Sequence, residues 1–438
     1  MEMMSSQQPG AIASEAPVKT DTNAMAMLSI LFFAWGFITV LNDILIPHLK
    51  NIFQLDYAEV MLVQFAFFGS YFVFSLPSGR IIDAIGYSRA MVAGLLAMGC
   101  GAFLFIPAAS IASFPMFLTA LIVLAAGMTL LQTSANPYVA ILGPAKTASS
   151  RLNLAQGFNS LGTTLAPLFG SMLILGSAVV PLTTNAQQIM SSAQLHARQV
   201  QEAASVKMPY FGLSVALVAL AAIIAIHKFP AIAYAEARIP TADSIWLHKR
   251  LLLGALAIFL YVGAEVAIGS FMTNYLNRKD NGNLSLRDAA WHLQYYWGGA
   301  MIGRFAGSAL LQRLDTRRLL GFNAMMAALL VTLSILSFGR VAMWSMILVG
   351  LFNSIMFPSI FTLSIEGLGP LTGRASSLLV AAIVGGAIIP EVQGVLADHI
   401  GVHHSFLLPG LGYLYILWFA AKGAGGRVVA RHSSACRI

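Results

Sequence analysis

Long apolar stretches separated by short polar connections run through the chain in two sets of six. Each stretch is long enough for a helix of roughly 20 residues to cross a bilayer. A transmembrane β-barrel would instead show segments of about ten residues with alternating polarity. The pattern predicts an all-α integral membrane protein with twelve spans, at 25–49, 58–79, 89–108, 114–142, 151–176, 208–228, 250–276, 290–312, 319–338, 341–366, 375–397 and 404–422.

The polar segments divide the predicted spans into two bundles. The long polar connection between the two sets is predicted to be a linker. The other long connection, 177–207, is rich in Ser, Gln and Ala, and we interpret it as a solvated loop without function. The predicted organisation is a disordered tail at 1–24, a six-helix bundle at 25–228, the linker at 229–249, a second six-helix bundle at 250–422 and a tail at 423–438.

Composition narrows the possible function classes. Hydrophobic residues make up 58% of the 438 residues and charged residues only 10%, whereas soluble domains carry about 25% charged residues. Water-soluble enzymes, nucleic-acid-binding proteins and disordered proteins are therefore excluded. The net charge of +8 instead reflects topology. With a cytoplasmic N-terminus, seventeen Lys and Arg lie on the cytoplasmic side and seven on the opposite side, which satisfies the positive-inside rule. Both termini are predicted to be cytoplasmic.

The two halves carry matching motifs. The fourth span closes with Asn136-Pro137 and the tenth has Phe357-Pro358, and a Leu-Gly-Pro string follows each of them. The second and eighth spans both end in small residues followed by a loop with an acid and bases, Asp83 in one and Asp315 in the other. We interpret the matches as a parallel repeat of six helices, the pattern of the major facilitator superfamily.

Acidic residues within predicted spans are candidates for function, because charge is costly in a bilayer. Desolvation makes a carboxylate hold a proton more readily, so Asp43 or Glu265 can bind and release one near neutral pH, and carboxylate oxygens also suit a small cation. We predict that both couple transport to a cation; a permanently protonated or paired structural acid is the open alternative. Glu391 is interpreted as facing an aqueous vestibule, and Arg304 as a structural or snorkelling residue.

Uncharged polar side chains also cluster in the spans. Amides both donate and accept hydrogen bonds and suit hydroxyl-rich ligands, and aromatic rings stack on the apolar face of a sugar. The alternative for any single amide is a helix–helix hydrogen bond. Gln156 and Asn159, three residues apart, share a helix face. Together the residues predict a site for an uncharged polar ligand, formed by Asn42, Gln64, Gln132, Asn136, Gln156, Asn159, Glu265, Trp297, Asn353 and Phe357.

Several strings resemble one family. They are LNDILIP at 41–47, SANPYV at 134–139, LGP at 142–144, RLNLAQGFNS at 151–160 and YVGA at 261–264. They resemble the fucose permease and bacterial glucose/galactose transporter family of the major facilitators, and the glucose/galactose branch more than the fucose branch. The resemblance implies the major facilitator fold, no cofactor, and sugar uptake driven by a proton, or by sodium as in some relatives.

The resemblance also assigns roles to residues. Asp43 matches the acid of the first span that is implicated in coupling, and Gln156 and Asn159 match amides that contact sugar. The chain departs from fucose permease at two of the polar positions, with Gln132 in place of a glutamate and Glu265 in place of a glutamine. A third departure, Phe357 in place of a tyrosine, removes a hydroxyl contact and makes fucose less favoured.

These observations predict a monomeric symporter of the inner membrane that takes up a neutral hexose, such as glucose or galactose, by alternating access between its two halves. Three alternatives stay open: coupling to Na⁺, export of another small metabolite or drug by the same fold, and sugar sensing without transport. An integral-membrane enzyme has no support, because the sequence has no His-Glu-x-x-His, Gly-x-Ser-x-Gly or Cys-x-x-Cys motif. The expected partners are the sugar and the lipid bilayer, without nucleic acid.

Overall fold

A computed structural model describes residues 20–53, 55, 57–173, 191–227, 229–230 and 244–425. Most of the predicted tails and of the linker lies outside these ranges. The side chains of three predicted site residues also lie outside the described part of the chain, although the helical backbone there is described. These residues are Asn42, Asp43 and Gln64.

The first half of the described chain supplies the first six predicted spans and one additional short helix. The additional helix, α6, lies in the connection that the sequence suggests to be a solvated loop; most of its described residues are exposed or half-buried, but they form a helix and not an irregular loop. A capping box explains it, because Ser191 Oγ accepts from the Gln194 amide at 3.4 Å and Gln194 Oε1 accepts from the Ser191 amide at 3.0 Å. The helices are α1 (Thr22–Phe53), α2 (Tyr57–Ile85), α3 (Tyr87–Ser110), α4 (Phe114–Ile141), α5 (Ala148–Leu173), α6 (Ser192–Ala203) and α7 (Lys207–Ile226).

The second half supplies the remaining six predicted spans, two of which are broken. The tenth span is interrupted at Ser354–Ile355, and the eleventh passes through a 3₁₀ turn, Ala382–Val384. Pro358 follows the first break and lacks the amide hydrogen that would bond the Ser354 carbonyl oxygen in a regular helix. The helices are α8 (Lys249–Asn277), α9 (Leu286–Leu310), α10 (Thr316–Leu336), α11 (Gly339–Asn353), α12 (Met356–Ile365), α13 (Thr372–Ala381), α14 (Gly385–Ser405) and α15 (Leu407–Ala421).

Most of these helices are suited to a bilayer. Within the described ranges, nine segments are long and apolar enough to cross a membrane. Polar side chains keep α5 and α9 outside that set, and α15 is apolar but has only 15 residues. The two long helices outside the apolar set therefore come one from each half.

Helix packing repeats between the halves. In the first half α1 packs on α5, α3 on α4 and on α7, and α2 on α4. In the second half the corresponding pairs are α8 with α14, α10 with α11 and with α15, and α9 with α11. The two halves meet through α2 against α13 and α5 against α9, which are also corresponding pairs. The structure is therefore built from two similar six-span units.

Glycines allow the closest helix crossings. On α4, a Cβ at Gly127 would lie 2.5 Å from the Met98 amide nitrogen and 2.7 Å from the Gly94 carbonyl oxygen of α3. Neither backbone atom can move aside without shifting α3. Small residues at such crossings increase van der Waals contact, which is a main source of helix association in membranes.

We expect Gly127→Ala to lower the melting temperature in detergent, because overpacking costs about 1–3 kcal/mol. The control is Gly212→Ala in α7, where no atom lies within 4 Å of an added Cβ. That variant should be neutral or stabilising, since alanine favours a helix over glycine by about 1 kcal/mol. Thermal unfolding followed by tryptophan fluorescence compares the two. Equal melting temperatures would contradict the close α3–α4 crossing.

Candidate functional site

The face of α5 that carries Ser150, Asn153 and Ser160 runs along α9 of the other half. Ser150 Oγ donates to the Ser308 carbonyl oxygen at 2.7 Å. One turn further, Asn153 Nδ2 donates to the Arg304 carbonyl oxygen at 2.9 Å. The spacing on α5 is helical, so a single face of this helix makes the hydrogen bonds that join the halves here.

The contact between α2 and α13 joins the two halves at one end of the bundle. Arg374 Nε donates to Asp83 Oδ2 at 2.6 Å. A Cβ at Gly79 would lie 2.7 Å from Ser377 Oγ, so glycine permits this approach. We call the end of the bundle that carries Asp83 and Arg374 the packed end.

The acidic residues of the two matching loops make different interactions. Asp83 pairs across the interface, whereas Asp315 caps α10 by accepting from the Arg318 amide at 3.1 Å. Gly86 begins the turn into α3 with φ of 80°, a conformation that favours glycine. The repeat therefore preserves the position of these loops but not the interaction that each acid makes.

On the side away from the packed end, exposed residues of α5 and α9 mark a region that we call the cleft. Trp297 lies seven residues, or two turns, from Arg304 on the same face of α9. Its side chain packs against Gly269 of α8 and is 41% exposed. Opposite, Thr164 of α5 is exposed and lies 3.6 Å from the sulfur of Met301. Trp297 and Thr164 thus mark where the contact between α5 and α9 ends.

A largely buried ion pair lies between the cleft and the packed end. Arg304 Nη2 and Glu265 Oε1 are 3.5 Å apart, and each side chain is 13% exposed. Arg304 Nη1 also donates to Ser160 Oγ of the other half. The guanidinium therefore contacts a carboxylate in its own half and a hydroxyl in the opposite half.

The break between α11 and α12 supplies a further acceptor to this arginine. Pro358 has no amide hydrogen and cannot bond the Ser354 carbonyl oxygen four residues earlier. Arg304 Nε donates to that oxygen at 3.4 Å. Gly303 faces Ser354 closely, which brings α9 within reach of the break. The interruption of the tenth span therefore provides an acceptor for a buried charge.

Tyrosine and asparagine side chains surround Glu265. Asn353 Nδ2 donates to the Tyr296 hydroxyl at 2.8 Å, and that hydroxyl donates to the Glu265 carbonyl oxygen at 3.3 Å. Tyr261, one turn before Glu265, donates to the Asn353 carbonyl oxygen at 3.1 Å. The network holds three helices of the second half, α8, α9 and α11, around the carboxylate.

Several buried polar atoms have no hydrogen-bond partner among the described residues. On α4, the unpartnered atoms are Oε1 of Gln132 and both side-chain polar atoms of Asn136. Nearer the ion pair, they are the Oδ1 atoms of Asn153 and Asn353. Buried polar groups are normally satisfied by protein or by water. The unpartnered atoms indicate an interior that accepts water or a polar ligand.

The two amides predicted on α5 have different surroundings. Gln156 is buried at 6% exposure and makes no hydrogen bond to another described residue. Asn159 is half-buried, and its Nδ2 donates to the Phe32 carbonyl oxygen of α1 at 3.0 Å. An added Cβ at Gly36 would lie 2.9 Å from that nitrogen, so glycine lets α1 approach Asn159. Asn159 therefore has one polar atom engaged in packing and an oxygen left for a ligand.

The structure brings only some of the predicted site residues into direct contact. Glu265 and Asn353 share one network, and Trp297 faces the cleft beside them. Phe357 is buried and stacks on Phe361, with ring centroids 6.0 Å apart. Glu391 is exposed. Gln132, Asn136, Gln156 and Asn159 line the first half, and Asn42, Asp43 and Gln64 lie outside the described side chains.

Sequence reasoning missed four members of the network. Arg304 was interpreted as structural, and Ser160, Tyr261 and Tyr296 were not singled out. Helical spacing offered a signal for two of them, since Ser160 lies seven residues from Asn153 and Tyr261 four residues before Glu265. Among the described residues, no group of three or more His, Cys, Asp or Glu side chains is arranged to hold a metal ion.

Comparison with known proteins identifies similar chains. Residues 26–390 match the Major Facilitator Superfamily. The chain is 49% identical over 422 residues to a glucose/galactose transporter of Brucella abortus, which covers 94% of this chain and 98% of the relative. It is 34% identical to the L-fucose–proton symporter of Escherichia coli, over 90% and 92% of the two chains.

The solved structures agree with this result. A crystal structure of the transporter FucP in the outward conformation matches with a TM-score of 0.85 and 33% identity, covering 92% of this chain and 99% of that one. The predicted all-α membrane fold and the predicted family resemblance are thereby confirmed.

Proposed function

Because this chain belongs to the major facilitator superfamily, we propose that it is a symporter that takes up a neutral hexose of the glucose or galactose type together with a proton. The substrate class follows from the similar glucose/galactose transporter, and the coupling ion from the similar fucose–proton symporter. Sodium is the alternative coupling ion.

The observation that carries the proposal is the set of buried amide atoms without partners. Sugar hydroxyls donate and accept hydrogen bonds, and so match both kinds of orphan atom on Asn136. An apolar drug would leave these atoms unsatisfied, at a cost of about 1–3 kcal/mol for each. This argument favours a hydroxyl-rich ligand over export of an apolar compound.

We propose the topology that the loop charges predict. The protein lies in the inner membrane as a monomer, with both termini and the packed end on the cytoplasmic side. Bundles at 25–228 and 250–422 are joined by the linker at 229–249. In this arrangement the described conformation faces outward, because the halves meet at the packed end and Trp297 is exposed in the cleft.

The proposed roles divide between the halves. Asp43 is the titrating carboxylate, and Glu265 acts as a second polar group that contacts the sugar. The amides of α4 and α5 bind hydroxyls from the first half, while Trp297 and Asn353 do so from the second. Asn42, Gln64 and Phe357 complete the proposed site on the basis of sequence.

We expect the purified protein in liposomes to accumulate labelled glucose or galactose when an inward proton gradient is imposed, and Asp43→Asn to abolish this accumulation, since an amide cannot carry the proton. Sugar counterflow without a gradient should persist in the variant. A sodium gradient applied at equal pH tests the alternative ion. Uphill uptake by Asp43→Asn equal to the wild type would remove Asp43 from the mechanism, and absence of any sugar flux would contradict the proposed function.

Gln156→Ala should weaken sugar binding by about 1–3 kcal/mol, the cost of losing a buried hydrogen-bond partner. Asn159→Ala should do the same and also lower thermal stability, because Asn159 bonds α1. Gln312→Ala is the control, since that glutamine is exposed near the packed end. Titration calorimetry measures the affinities. Wild-type affinity in both α5 variants would exclude these amides as ligands.

Glu265→Gln should reduce sugar affinity while keeping the pH profile of exchange. The amide can still accept one hydrogen bond but no longer carries the charge that attracts Arg304, and in the proposed mechanism Asp43 supplies the proton. Affinity and exchange are measured over a range of pH. Unchanged affinity together with a flattened profile would assign the proton to Glu265 instead.

A further inference from the structure

Arg304 is attached to both halves of the molecule. Its side chain reaches Ser160 on α5, and its carbonyl oxygen accepts from Asn153 on the same helix. Within its own half it contacts Glu265 and the Ser354 carbonyl oxygen. The contact of Arg304 with Ser160 therefore places a fully charged group between α5 and α9.

A buried guanidinium needs acceptors, because an uncompensated charge in a low-dielectric interior is strongly unfavourable. Here the acceptors lie on three sides: the Glu265 carboxylate on α8, the Ser160 hydroxyl on α5 and the carbonyl oxygen at the α11–α12 break. Loss of Ser160 as a partner leaves the guanidinium held only by its own half.

We propose that Arg304 is a latch between the halves and that Glu265 is the positioning residue that aims it at Ser160. The latch stabilises the conformation in which the packed end is closed. Opening that end requires α5 and α9 to separate, and this separation breaks the Arg304–Ser160 and Asn153–Arg304 bonds together. The inference rests on the alternating access of the proposed function, but its contacts do not depend on the identity of the substrate.

The geometry explains why arginine is needed. A guanidinium presents donors in a planar fork and reaches Glu265, Ser160 and the Ser354 carbonyl oxygen with three different nitrogen atoms. A lysine ammonium in the same place keeps the charge but is a single point donor. Arg304→Lys should therefore retain the attraction to Glu265 and lose the bridge to the other half.

A distance measurement across the packed end tests the latch. Nitroxide labels are attached to cysteines at Ala145 and Gln312, one exposed residue from each half, after Cys100→Ser and Cys436→Ser. Double electron–electron resonance then gives the ratio of closed to separated molecules without any sugar. Ser160→Ala should lower this ratio about tenfold, as expected for a lost hydrogen bond to a charged group, and Arg304→Lys should lower it similarly.

Two further variants separate a latch from a general loss of structure. Ser160→Thr keeps the hydroxyl and should restore the wild-type ratio. Ser78→Ala removes a buried hydroxyl whose hydrogen bond, within the described part of the chain, goes to the Phe74 carbonyl oxygen of its own helix at 2.7 Å, and should leave the ratio unchanged. Glu265→Gln should also lower the ratio while the protein stays folded, because the proposed latch needs Glu265 to aim Arg304 at Ser160. If Ser160 only stabilised its own helix, a change at Glu265 would not shift the ratio.

Unchanged distance distributions in both Ser160→Ala and Arg304→Lys would overturn the proposal. So would an equal shift in Ser78→Ala, because the effect would then not depend on the bridge. The measurement remains informative if sugar uptake is absent from liposomes, since a shifted ratio would support the latch even where the proposed substrate is wrong.

Discussion

The constraint on which this structure depends is that hydrocarbon offers no hydrogen-bond partner to a polar group. Polar side chains in the spans must therefore meet one another, water or a ligand inside the protein. The two long helices that fall outside the apolar set, α5 and α9, face each other across the interface between the halves. Their polar faces pair along Ser150, Asn153 and Ser160, and Arg304 finds acceptors from both sides. The same constraint that excludes these residues from the lipid surface places the candidate site where the halves meet.

The repeat determines which helices pack together but not which interactions the equivalent side chains make. Corresponding helices make corresponding contacts in each half and across the interface. Corresponding residues do not: Asp83 forms an ion pair with Arg374, while Asp315 caps a helix within its own half. Matching Gly79 of the second span to Gly307 of the eighth likewise puts Glu265 opposite Phe37 of the first half. Backbone packing by glycine and small residues is tolerant of such changes, since it depends on shape, whereas a buried charge needs a specific partner. A symmetric scaffold can thus hold an asymmetric site.

Among the described residues, hydropathy predicted where the long helices lie, and the matching motifs predicted the repeat, because both signals come from residues close together in the sequence. The breaks at Ser354–Ile355 and Ala382–Val384 left no trace in hydropathy, since the residues there are as apolar or as small as their neighbours.

The Glu265–Arg304 pair was missed for another reason. Whether an arginine in a span snorkels or pairs depends on how closely α9 approaches its neighbours, and that approach is set by Gly303 and Gly350 against other helices. Sequence analysis identified the charged residues but not the tertiary distance that joins them.

The interior also argues for the kind of ligand it accepts. A charged ligand would bring a further charge beside the Glu265–Arg304 pair, and that charge would need a partner of opposite sign. The described side chains nearby do not offer one, because they are uncharged amides, hydroxyls and aromatic rings. An apolar ligand would leave the amide atoms of Gln132 and Asn136 buried without partners. A neutral ligand with several hydroxyls avoids both costs, and Trp297 offers its apolar face a ring at the cleft. Selection therefore arises less from any one contact than from the penalties that other ligand classes would meet in the same cavity.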